Sequence, residues 1–405
     1  MAIEKKVPEI RFQEFSCNWQ NKKIGSILAE IKRPVELLDN ELYQLVTVKR
    51  RNEGVVPRAL LRGKSILVKS YFGIKSGDYL ISKRQVVHGA NGVVPESLNN
   101  AVVSNEYLVV TDSNEITAKF WSVISKRPEM HKLFFISSYG VDIEKLVFDV
   151  SDWRNRAITA PGVREQNAIT NHFQKLDSLI IQHQQKHDKL SNIKNAMLEK
   201  MFPKQGETIP QIRFKVFSQE WEKRELREVG SFTSGVGFSE SEQSGTSGIP
   251  FFKVSDMNLK GNNYCMINAN NYVNEEQILR LNYKPIYESS IIFAKVGAAV
   301  FLERKRIAKN FLIDNNMMAF SPTEDITFMK YWFESINLSK YTQVGALPSF
   351  RASDLGVINI RVPSSEEQKK VGEYFKSLDV LINNHQLQIT KLKNIKQACL
   401  SKMFV

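Results

Sequence analysis

The sequence predicts an α+β protein in which two mostly β domains lie in tandem, each followed by a long helix. The residues from 161 to 202 recur from 363 to 404 with a constant offset of 202 positions. With the same offset, the pattern Pro-x-Ile-Arg-Phe-x-x-Phe-Ser-x-x-Trp that starts at Pro8 recurs at Pro210. A repeat of this length exceeds a solenoid unit of a few tens of residues, so it marks a duplicated domain and helix.

The composition of the whole chain is that of a folded protein. With 405 residues, the chain is long enough for two or three domains, each with its own core. The hydrophobic fraction of 42% and the aromatic fraction of 10% exclude a disordered chain. The predicted order is a first domain over residues 1–160, a central helix over 161–202, a linker over 203–209, a second domain over 210–362 and a C-terminal helix over 363–405.

The net charge favours a polyanionic partner. There are 56 Lys and Arg residues against 43 Asp and Glu, giving +13 and a pI near 9.4, which indicates nucleic acid or an anionic membrane surface. No apolar run approaches the roughly 18 residues of a membrane span, and the N-terminus lacks a signal-peptide core, so we expect a cytoplasmic protein without a membrane partner. Cys17, Cys265 and Cys399 form no Cys-x-x-Cys pair, which predicts neither a disulfide framework nor a zinc site.

Short β-rich runs broken by glycines fill the first domain. They are Tyr43–Val48, Ile66–Val68, Tyr79–Ile81, Ala101–Val103 and Tyr107–Val110. Two short helices are predicted over residues 116–125 and 128–139. We expect the lead-in Pro8–Trp19 to be a strand or an extended segment that docks its aromatic residues on the core.

Basic and amide side chains cluster where predicted strands of the first domain end. Arg, Gln and Asn can hydrogen-bond to guanine and adenine edges in the major groove, whereas Lys mostly contacts phosphate. The candidate DNA contacts are Lys49, Arg50, Arg51, Lys83, Arg84, Gln85, His88 and Asn91. For any one of these residues a solvated loop is the simpler interpretation, so the hypothesis depends on the clusters as a whole.

The second domain has its own candidate contacts, with a structural role as the alternative for each. We predict a strand over 249–256, a strand pair over 291–297 and 301–306 with a basic edge, and a turn over 345–351. The candidates are Lys253, Ser255, Asp256, Lys295, Arg304, Lys305, Ser349, Phe350 and Arg351. The Gly-x-Gly within 231–238 lacks the strand-then-helix context of a dinucleotide site, so we predict a loop there.

Both long segments follow a heptad pattern. Apolar residues recur with 4-3 spacing over 169–201 and 371–403, which predicts a coiled coil, and further apolar residues widen each stripe. The residues predicted to pair the helices or to dock a partner are Phe173, Leu176, Leu179, Ile180, His183, Leu190, Ile193, Met197, Leu198, Phe375, Leu378, Leu381, Ile382, His385, Leu392 and Ile395. His183 and His187 lie one turn apart, but the second copy has Ile389 at the later position, so register positions are favoured over metal ligands.

No segment of the sequence predicts catalysis. Gly63–Ser65 resembles the end of a phosphate-binding loop, but Arg58 stands where the first glycine is required. Asp142 and Glu144 are a poor nuclease pair, because carboxylates two residues apart are commonplace. The chain has no Pro-Pro dipeptide, which an amino-methyltransferase motif requires. We therefore expect no catalytic residues, no metal site and no bound cofactor in this chain.

The paired lead-ins, and the pattern Glu-Gln-x6-Phe-x-x-Leu-Asp-x-Leu-Ile starting at Glu165 and Glu367, resemble the specificity subunits of type I restriction-modification systems. The resemblance covers the full length. It implies two target-recognition domains, each of which reads one half of a split, asymmetric DNA site. It also implies that the two long helices pair antiparallel, give the subunit pseudo-twofold symmetry and set the spacing between the half-sites.

The same resemblance implies the partners. Two copies of a DNA methyltransferase subunit would dock on the helices, with Leu179, Ile193 and Leu198 as a seat on the first helix. Restriction or translocase subunits would join this core for adenine methylation or cleavage of double-stranded DNA. S-adenosylmethionine, ATP and Mg²⁺ are then expected on the partner subunits.

Two other functions remain open from the sequence. A coiled-coil adaptor that binds nucleic acid non-specifically would show a steep salt dependence without sequence preference. An enzyme is the third hypothesis, and turnover by the isolated chain would support it.

Overall fold

The computed structural model describes residues 7–67, 70–343 and 348–405. The chain divides into two compact units, which we name unit 1 (residues up to 183, with 387–405) and unit 2 (residues 184–386). Each unit therefore combines one β-rich domain with parts of both long helices. The predicted boundaries separate domains from helices, whereas the compact units divide each helix near its middle.

Unit 1 is built from short strands, short helices and parts of the long helices. Its strands are β1 (Gln20–Lys23), β2 (Ala29–Glu30), β3 (Pro34–Val35), β4 (Leu42–Lys49), β5 (Gly54–Arg62), β6 (Tyr71–Gly73), β7 (Tyr79–Ser82), β8 (Asn91–Val93), β9 (Val102–Ser104), β10 (Tyr107–Thr111), β11 (Ser138–Tyr139), β12 (Val147–Phe148) and β13 (Ala157–Ala160). Its helices are α1 (Ile24–Ile27), α2 (Ala118–Ile124), α3 (Pro128–Ile136), α4 (Val150–Asn155) and the first half of α5 (Val163–Lys200).

Unit 2 continues along α5 into the second domain. Its strands are β14 (Glu222–Glu225), β15 (Gly230–Ser234), β16 (Ile249–Phe252), β17 (Tyr272–Val273), β18 (Ser290–Ala294), β19 (Lys305–Ala308), β20 (Leu312–Ile313), β21 (Met317–Pro322) and β22 (Asn359–Val362). Its helices are α6 (Glu275–Arg280), α7 (Ile326–Ser335), α8 (Ala352–Gly356) and the first half of α9 (Ser365–Lys402). The last residues of α9 belong to unit 1.

Local capping explains where the two short helices after β10 begin. The Thr117 hydroxyl accepts a hydrogen bond from the Phe120 backbone N–H at 3.1 Å, which caps the N-terminus of α2. Pro128 takes the first position of α3, where a missing N–H costs nothing. Both predicted helices are therefore confirmed, although the second ends at Ile136 instead of residue 139.

The two units share one sheet topology and differ in what is added to it. Four-stranded sheets have the orders β2-β10-β7-β8 and β15-β21-β18-β19. In the two-stranded sheets, Gln20 pairs with Ala160 and Glu222 pairs with Val362, the same register displaced by 202 positions. Unit 1 adds the sheet β3-β6-β9-β4-β5, and unit 2 adds the sheet β17-β16-β20. This arrangement confirms the predicted α+β fold of two related domains, each followed by a long helix.

Three predicted strands differ in the structure. Residues 63–65 form a 3-10 turn and Ile66 lies outside any strand, while Val68 of that prediction lies outside the described residues. The strand from residue 249 stops at Phe252, because the Asp256 carboxylate accepts the Lys253 backbone N–H and caps a 3-10 turn. Residues 298–302 form another 3-10 turn, so the predicted strand over 301–306 begins only at residue 305.

A bidentate ion pair ties each lead-in to the start of a long helix. Arg11 Nε and Nη2 donate to the two carboxylate oxygens of Glu165 at 2.7 Å each. Arg213 makes the same two bonds to Glu367, also at 2.7 Å. A planar guanidinium matches a carboxylate in this geometry, so the pair fixes direction as well as distance. Neither lead-in forms a strand, so the extended alternative of the prediction is the one observed.

The aromatic residue after each long helix enters a core. In unit 1, the Phe404 ring lies 5.9 Å from Trp19 and 6.2 Å from Phe173, measured between ring centroids. In unit 2, the Phe202 ring lies 6.3 Å from Trp221. Aromatic contacts of this kind add about 0.5–1.5 kcal/mol each beyond the area they bury. The lead-in tryptophans are buried as predicted, because a helix end covers each of them.

Within each unit the two long helices run antiparallel. In unit 1, Lys396 of α9 donates to the Asp177 carboxylate of α5. Phe173, one turn before Asp177 on α5, contacts Phe404, which comes after Lys396 in the chain. Because an earlier position on α5 meets a later position beyond α9, the two helices run in opposite directions. In unit 2, Lys194 Nζ donates to Asp379 Oδ1 at 2.6 Å, the same pair displaced by 202 positions. The predicted antiparallel pairing of the helices is therefore observed in both units.

Candidate nucleic-acid interface

The turn between β4 and β5 brings the two basic clusters of unit 1 together. Arg51 and Asn52 have φ values of 59° and 57°, a left-handed conformation that costs free energy for residues with a side chain. The Arg51 backbone N–H donates to the His88 carbonyl at 2.7 Å, and the Asn52 N–H donates to the Gly89 carbonyl at 2.8 Å. The clusters that the sequence predicted separately therefore meet at this turn.

The Arg50 guanidinium at the start of the turn is held from two sides. Its Nε donates to Gln85 Oε1 at 2.8 Å, and its Nη2 donates to Glu144 Oε2 at 2.7 Å. His88 Nε2 lies 3.5 Å from the other Glu144 oxygen. Half of the Arg50 side chain is still exposed, and among the described residues no acceptor takes a hydrogen bond from its Nη1.

Lys83 and Arg84 follow β7 and are held by exposed partners. Lys83 Nζ donates to the Asn105 carbonyl at 2.7 Å, and Arg84 Nε donates to Glu106 Oε2 at 2.8 Å. Exposed ion pairs are worth about 0–1 kcal/mol, so a DNA phosphate can replace these partners at little cost. Both residues remain candidate phosphate contacts.

Lys83 of unit 1 and Lys295 of unit 2 occupy the same place in the two folds. Lys83 follows β7 and Lys295 follows β18, the inner strands of the equivalent four-stranded sheets. The Lys83 carbonyl accepts the Phe148 N–H at 2.8 Å, and the Lys295 carbonyl accepts the Phe350 N–H at 3.1 Å. Lys295 Nζ donates to Ser234 Oγ at 3.2 Å on the exposed surface. The two lysines, both predicted as DNA contacts, are therefore structural equivalents.

Two predicted contacts are wrong because their polar groups are buried and used inside the protein. Asn91 is only 2% exposed, and its amide donates to Asn52 Oδ1 at 3.1 Å, which supports the turn after β4. Asp256 is fully buried, and its Oδ1 accepts from Asn270 Nδ2 at 2.5 Å. Neither side chain can reach a DNA base without unfolding its surroundings.

Two further predicted contacts of unit 2 are wrong because their side chains are buried. Lys305 is 2% exposed and pairs with the Glu303 carboxylate, and its burial lowers its pKa. Phe350 is 2% exposed and packs in the core, where it corresponds to the buried Phe148 of unit 1. An aromatic residue beside an arginine suggested a contact loop, but the ring anchors the turn to the core.

The remaining candidates of unit 2 are accessible in different degrees. Lys253 Nζ donates to Gln243 Oε1 at 2.5 Å, and Arg304 Nη1 donates to Asn258 Oδ1 at 2.6 Å. Ser255 and Arg351 are exposed and Ser349 is half-buried. The first part of the predicted turn, residues 345–347, lies outside the described residues. These five side chains stay predictions for DNA contact.

The sequence does not indicate the residues that hold these arginines. Its pattern makes Glu144 only half of a poor nuclease pair, and it gives Glu106 no role. Glu144 lies 94 positions from Arg50 in the chain, so no local pattern links them. Across the described ranges there is no group of three or more His, Cys, Asp or Glu that could hold a metal ion, and no helix could span a membrane.

Sequence comparison finds similarity to the specificity subunits of type I restriction enzymes. Residues 218–394 match the family model described as Type I restriction modification DNA specificity domain. The specificity subunit of the type I restriction enzyme MjaVIII from Methanocaldococcus jannaschii is 22% identical over 419 residues, covering 94% of this chain and 90% of the relative. The chain is similar to a type I specificity subunit over nearly its full length, and residues 218–394 match the DNA specificity domain. The resemblance predicted from the repeated lead-ins and helices is confirmed, and DNA recognition is the function it carries.

Solved structures of the type I specificity-subunit family agree in fold. The S subunit of the type I restriction-modification system from M. genitalium superposes with a TM-score of 0.58 at 15% identity, covering 98% of this chain and 99% of the other. A solved structure described as the structural basis of complex assembly and conformational transition of the type I R-M system gives a TM-score of 0.53 at 15% identity. The match covers 95% of this chain and 97% of the other. At this identity the likeness shows the fold alone.

The two long helices do not bury all of the residues that the heptad pattern assigns to helix pairing. Phe173, Leu176, Phe375 and Leu378 are buried, Leu190, Ile193, Met197 and Leu198 pack on the core of unit 2, and Leu392 packs on the core of unit 1. Ile180, Ile382, His183 and His385 are half-buried. Leu179, Leu381 and Ile395 are exposed. The predicted docking site for a partner is therefore corrected. Ile193 and Leu198 pack on the core of unit 2, and only Leu179 of these three residues is exposed.

Proposed function

We propose that this chain is a non-catalytic subunit that recognises a bipartite DNA site, with one half-site read by each unit. The proposal depends on one observation: the two units repeat one set of contacts, which we call the frame, but add different sheets to it. The frame consists of the ion pair from lead-in to helix, the two-stranded sheet and the helix-end aromatic ring. Two related domains with different added sheets are suited to two different half-sites.

The charge distribution supports contact with double-stranded DNA. The net charge of +13 provides affinity for the phosphate backbone, which carries no sequence information by itself. The equivalent lysines Lys83 and Lys295 lie at the same point of both sheets and can position the backbone. Side chains on the divergent parts, such as Arg50, are then available to read bases.

The repeated helices support a scaffold for two copies of one partner. Leu179 is 41% exposed and Leu381, its equivalent 202 positions later, is 47% exposed. A pair of equivalent apolar side chains on equivalent helices can seat two identical subunits. We propose two DNA methyltransferase subunits there, with restriction or translocase subunits joining this core in the cytoplasm. S-adenosylmethionine, ATP and Mg²⁺ would be bound by those partners for adenine methylation or cleavage.

Methylation mapping tests the proposal. The full chain is expressed with the methyltransferase subunit encoded beside it in a host without related methylation, and methylated adenines are mapped across the genome. We expect one motif made of two short half-sites separated by a fixed number of unspecified base pairs. A continuous motif, or methylation that persists without this chain, would contradict the proposal.

The long helices provide a second test. Insertion of one heptad in the middle of α5 preserves its apolar stripe and lengthens it by about 10 Å at 1.5 Å per residue. We expect the half-sites to stay the same and their spacing to change. Insertion of seven residues in the exposed segment 203–209 is the control, and it should leave the spacing unchanged.

A coiled-coil adaptor with non-specific nucleic-acid binding is the alternative function. It predicts equal affinity for all duplexes of one length and a steep fall of affinity with salt. A titration of the purified chain against specific and scrambled duplexes at two salt concentrations separates the two functions. Equal competition by the scrambled duplex would favour the adaptor.

A further inference from the structure

The turn between β4 and β5 is built more firmly than a solvated loop requires. Both of its central residues, Arg51 and Asn52, have left-handed backbone conformations without being glycine. Three hydrogen bonds hold it: two backbone bonds to the segment 88–89 and one from the buried Asn91 amide to the Asn52 side chain. Backbone strain of this kind persists only where surrounding contacts fix it, and such sites concentrate at ligand contacts.

The same turn controls the direction of the Arg50 side chain. Gln85 accepts from Nε and Glu144 accepts from Nη2, at 2.8 and 2.7 Å, so two acceptors from distant segments define the plane of the guanidinium. An exposed arginine normally samples many rotamers, and this restriction costs side-chain entropy. Among the described residues, the Nη1 group and one hydrogen of Nη2 are left without an acceptor.

A guanidinium presented in this way matches the major-groove edge of one base. Guanine offers two acceptors, N7 and O6, and a fork of two parallel N–H groups from arginine is the commonest specific contact to it. Adenine and cytosine place an amino donor there, which would face the arginine donors. We propose that Arg50 reads a guanine in one half of the DNA site and that Gln85 and Glu144 hold it in its reading orientation.

This inference rests on the proposed function, because a base-reading role requires a sequence-specific site. Glu144 is assigned as a positioning residue: its carboxylate is half-exposed and accepts from Nη2 of Arg50, while Nη1 donates to no acceptor among the described residues. A carboxylate that merely neutralised a basic patch would compete with DNA phosphate instead. If Glu144 positions Arg50, removal of its carboxylate should lower the guanine preference. If it competes with phosphate, removal should raise the affinity for every sequence.

Arg280 of unit 2 is the matched control. It is as exposed as Arg50 and also pairs with a glutamate, Glu242. However, its Nη1 and Nη2 both donate to that carboxylate, at 2.9 and 2.7 Å, so the outer end of its guanidinium is occupied. The same substitutions at Arg280 remove a charge of the same kind without removing a free fork.

Selection from a library of randomised duplexes by the purified full chain, followed by sequencing, tests the proposal. We expect the wild-type motif to contain a guanine in one half-site. R50M should lower the preference for that guanine at least about tenfold and leave every other position unchanged. R50K should lower it less, and R280M should leave both half-sites unchanged. Loss of affinity for all sequences with an unchanged motif in R50M would overturn the reading role.

Glu144 variants test the positioning role separately. E144A should lower the guanine preference at the same position, and E144Q, which keeps an acceptor oxygen, should retain most of it. Higher affinity for every sequence with an unchanged motif in E144A would show that Glu144 only competes with phosphate. If the wild-type motif is split and R50M does not alter it, the role of Arg50 is refuted and the proposed function is not. A wild type without any split motif would refute the proposed function as well.

Discussion

Replacement of Glu367 by glutamine tests whether the ion pair at the start of α9 holds unit 2 together. The Glu367 side chain is 1% exposed and Arg213 is 12% exposed. Their two hydrogen bonds of 2.7 Å also raise the pKa of Arg213. Glutamine keeps the shape of the side chain but turns an amide donor towards one of the two arginine donors.

The expected cost follows from what the substitution leaves behind. One charge-assisted hydrogen bond, worth about 1.5–3 kcal/mol, is lost, and the guanidinium loses its counter-charge. Breaking a buried ion pair from one side costs about 3–5 kcal/mol. Arg213 keeps its bond to the Gln219 carbonyl at 2.6 Å, so we expect the lower end, about 3 kcal/mol. For a unit of this size this corresponds to a fall of about 6–12 °C in the transition temperature.

Differential scanning calorimetry of the full chain measures this effect. E366Q is the control, because Glu366 is its exposed neighbour and the charge change is the same. E165Q repeats the test in unit 1 and should cost at least as much, since the Trp19 indole also donates to Glu165 at 3.2 Å. A loss below about 1 kcal/mol in E367Q, or an equal loss in E366Q, would show that the pair behaves like an exposed one.

Three further changes have defined outcomes. F202A removes a buried ring from unit 2 and should cost about 3–5 kcal/mol of unfolding free energy in denaturant titrations. Burial opposes ionisation of Asp379, but the ammonium groups of Lys330 and Lys194 outweigh it and lower its pKa. D379N should therefore be less stable than the wild type at neutral pH, and the difference should shrink as pH falls below about 4, where the unfolded aspartate is protonated. K83A should reduce the slope of log affinity against log salt by about one without changing the DNA motif, as measured by fluorescence anisotropy.

The long helices were the most predictable part of the fold. α5 has neither Gly nor Pro and lies between Pro161 and Pro203. α9 follows Pro363 and keeps its heptad pattern across Gly372, so both helices begin within two residues of the predicted starts. The repeat also predicted that both lead-ins bury a tryptophan. Such features depend on neighbours within a few turns of one helix or on a pattern that occurs twice.

The repeat did not predict which segments of the chain form each unit. Phe404 packs on Trp19, and the Ile10 backbone N–H donates to the Lys402 carbonyl at 2.9 Å, so the end of the chain completes unit 1. In unit 2, Ile212 makes the equivalent bond to the Lys200 carbonyl. A constant offset shows which segments are related, but not whether a helix end packs on its own domain or on the other copy.

Burial of charged side chains was the main error among the candidate contacts. The ion-pair partner of Lys305, Glu303, lies only two residues away. Lys305 lies between Arg304 and Arg306, so the sequence around it resembles an exposed basic edge. It is buried because the 3-10 turn before it and the Ile336 carbonyl, 31 residues later, enclose its ammonium group. Asp256 is similar, since its partner Asn270 lies 14 positions away. Exposure depends on these distant contacts, which periodicity does not reveal.

Some of the candidate DNA contacts occupy equivalent places in the two units, and others lie on a part that differs between them. Lys83 and Lys295 follow equivalent inner strands, and each carbonyl accepts the N–H of a core phenylalanine, so the two lysine backbones are fixed in the same way. Arg50 lies on a turn of the sheet that only unit 1 adds among the described residues. Phosphate contacts fix register and base contacts give specificity. Under the proposed function, the equivalent lysines would contact the DNA backbone in both units, and the turn that differs would contact bases in unit 1.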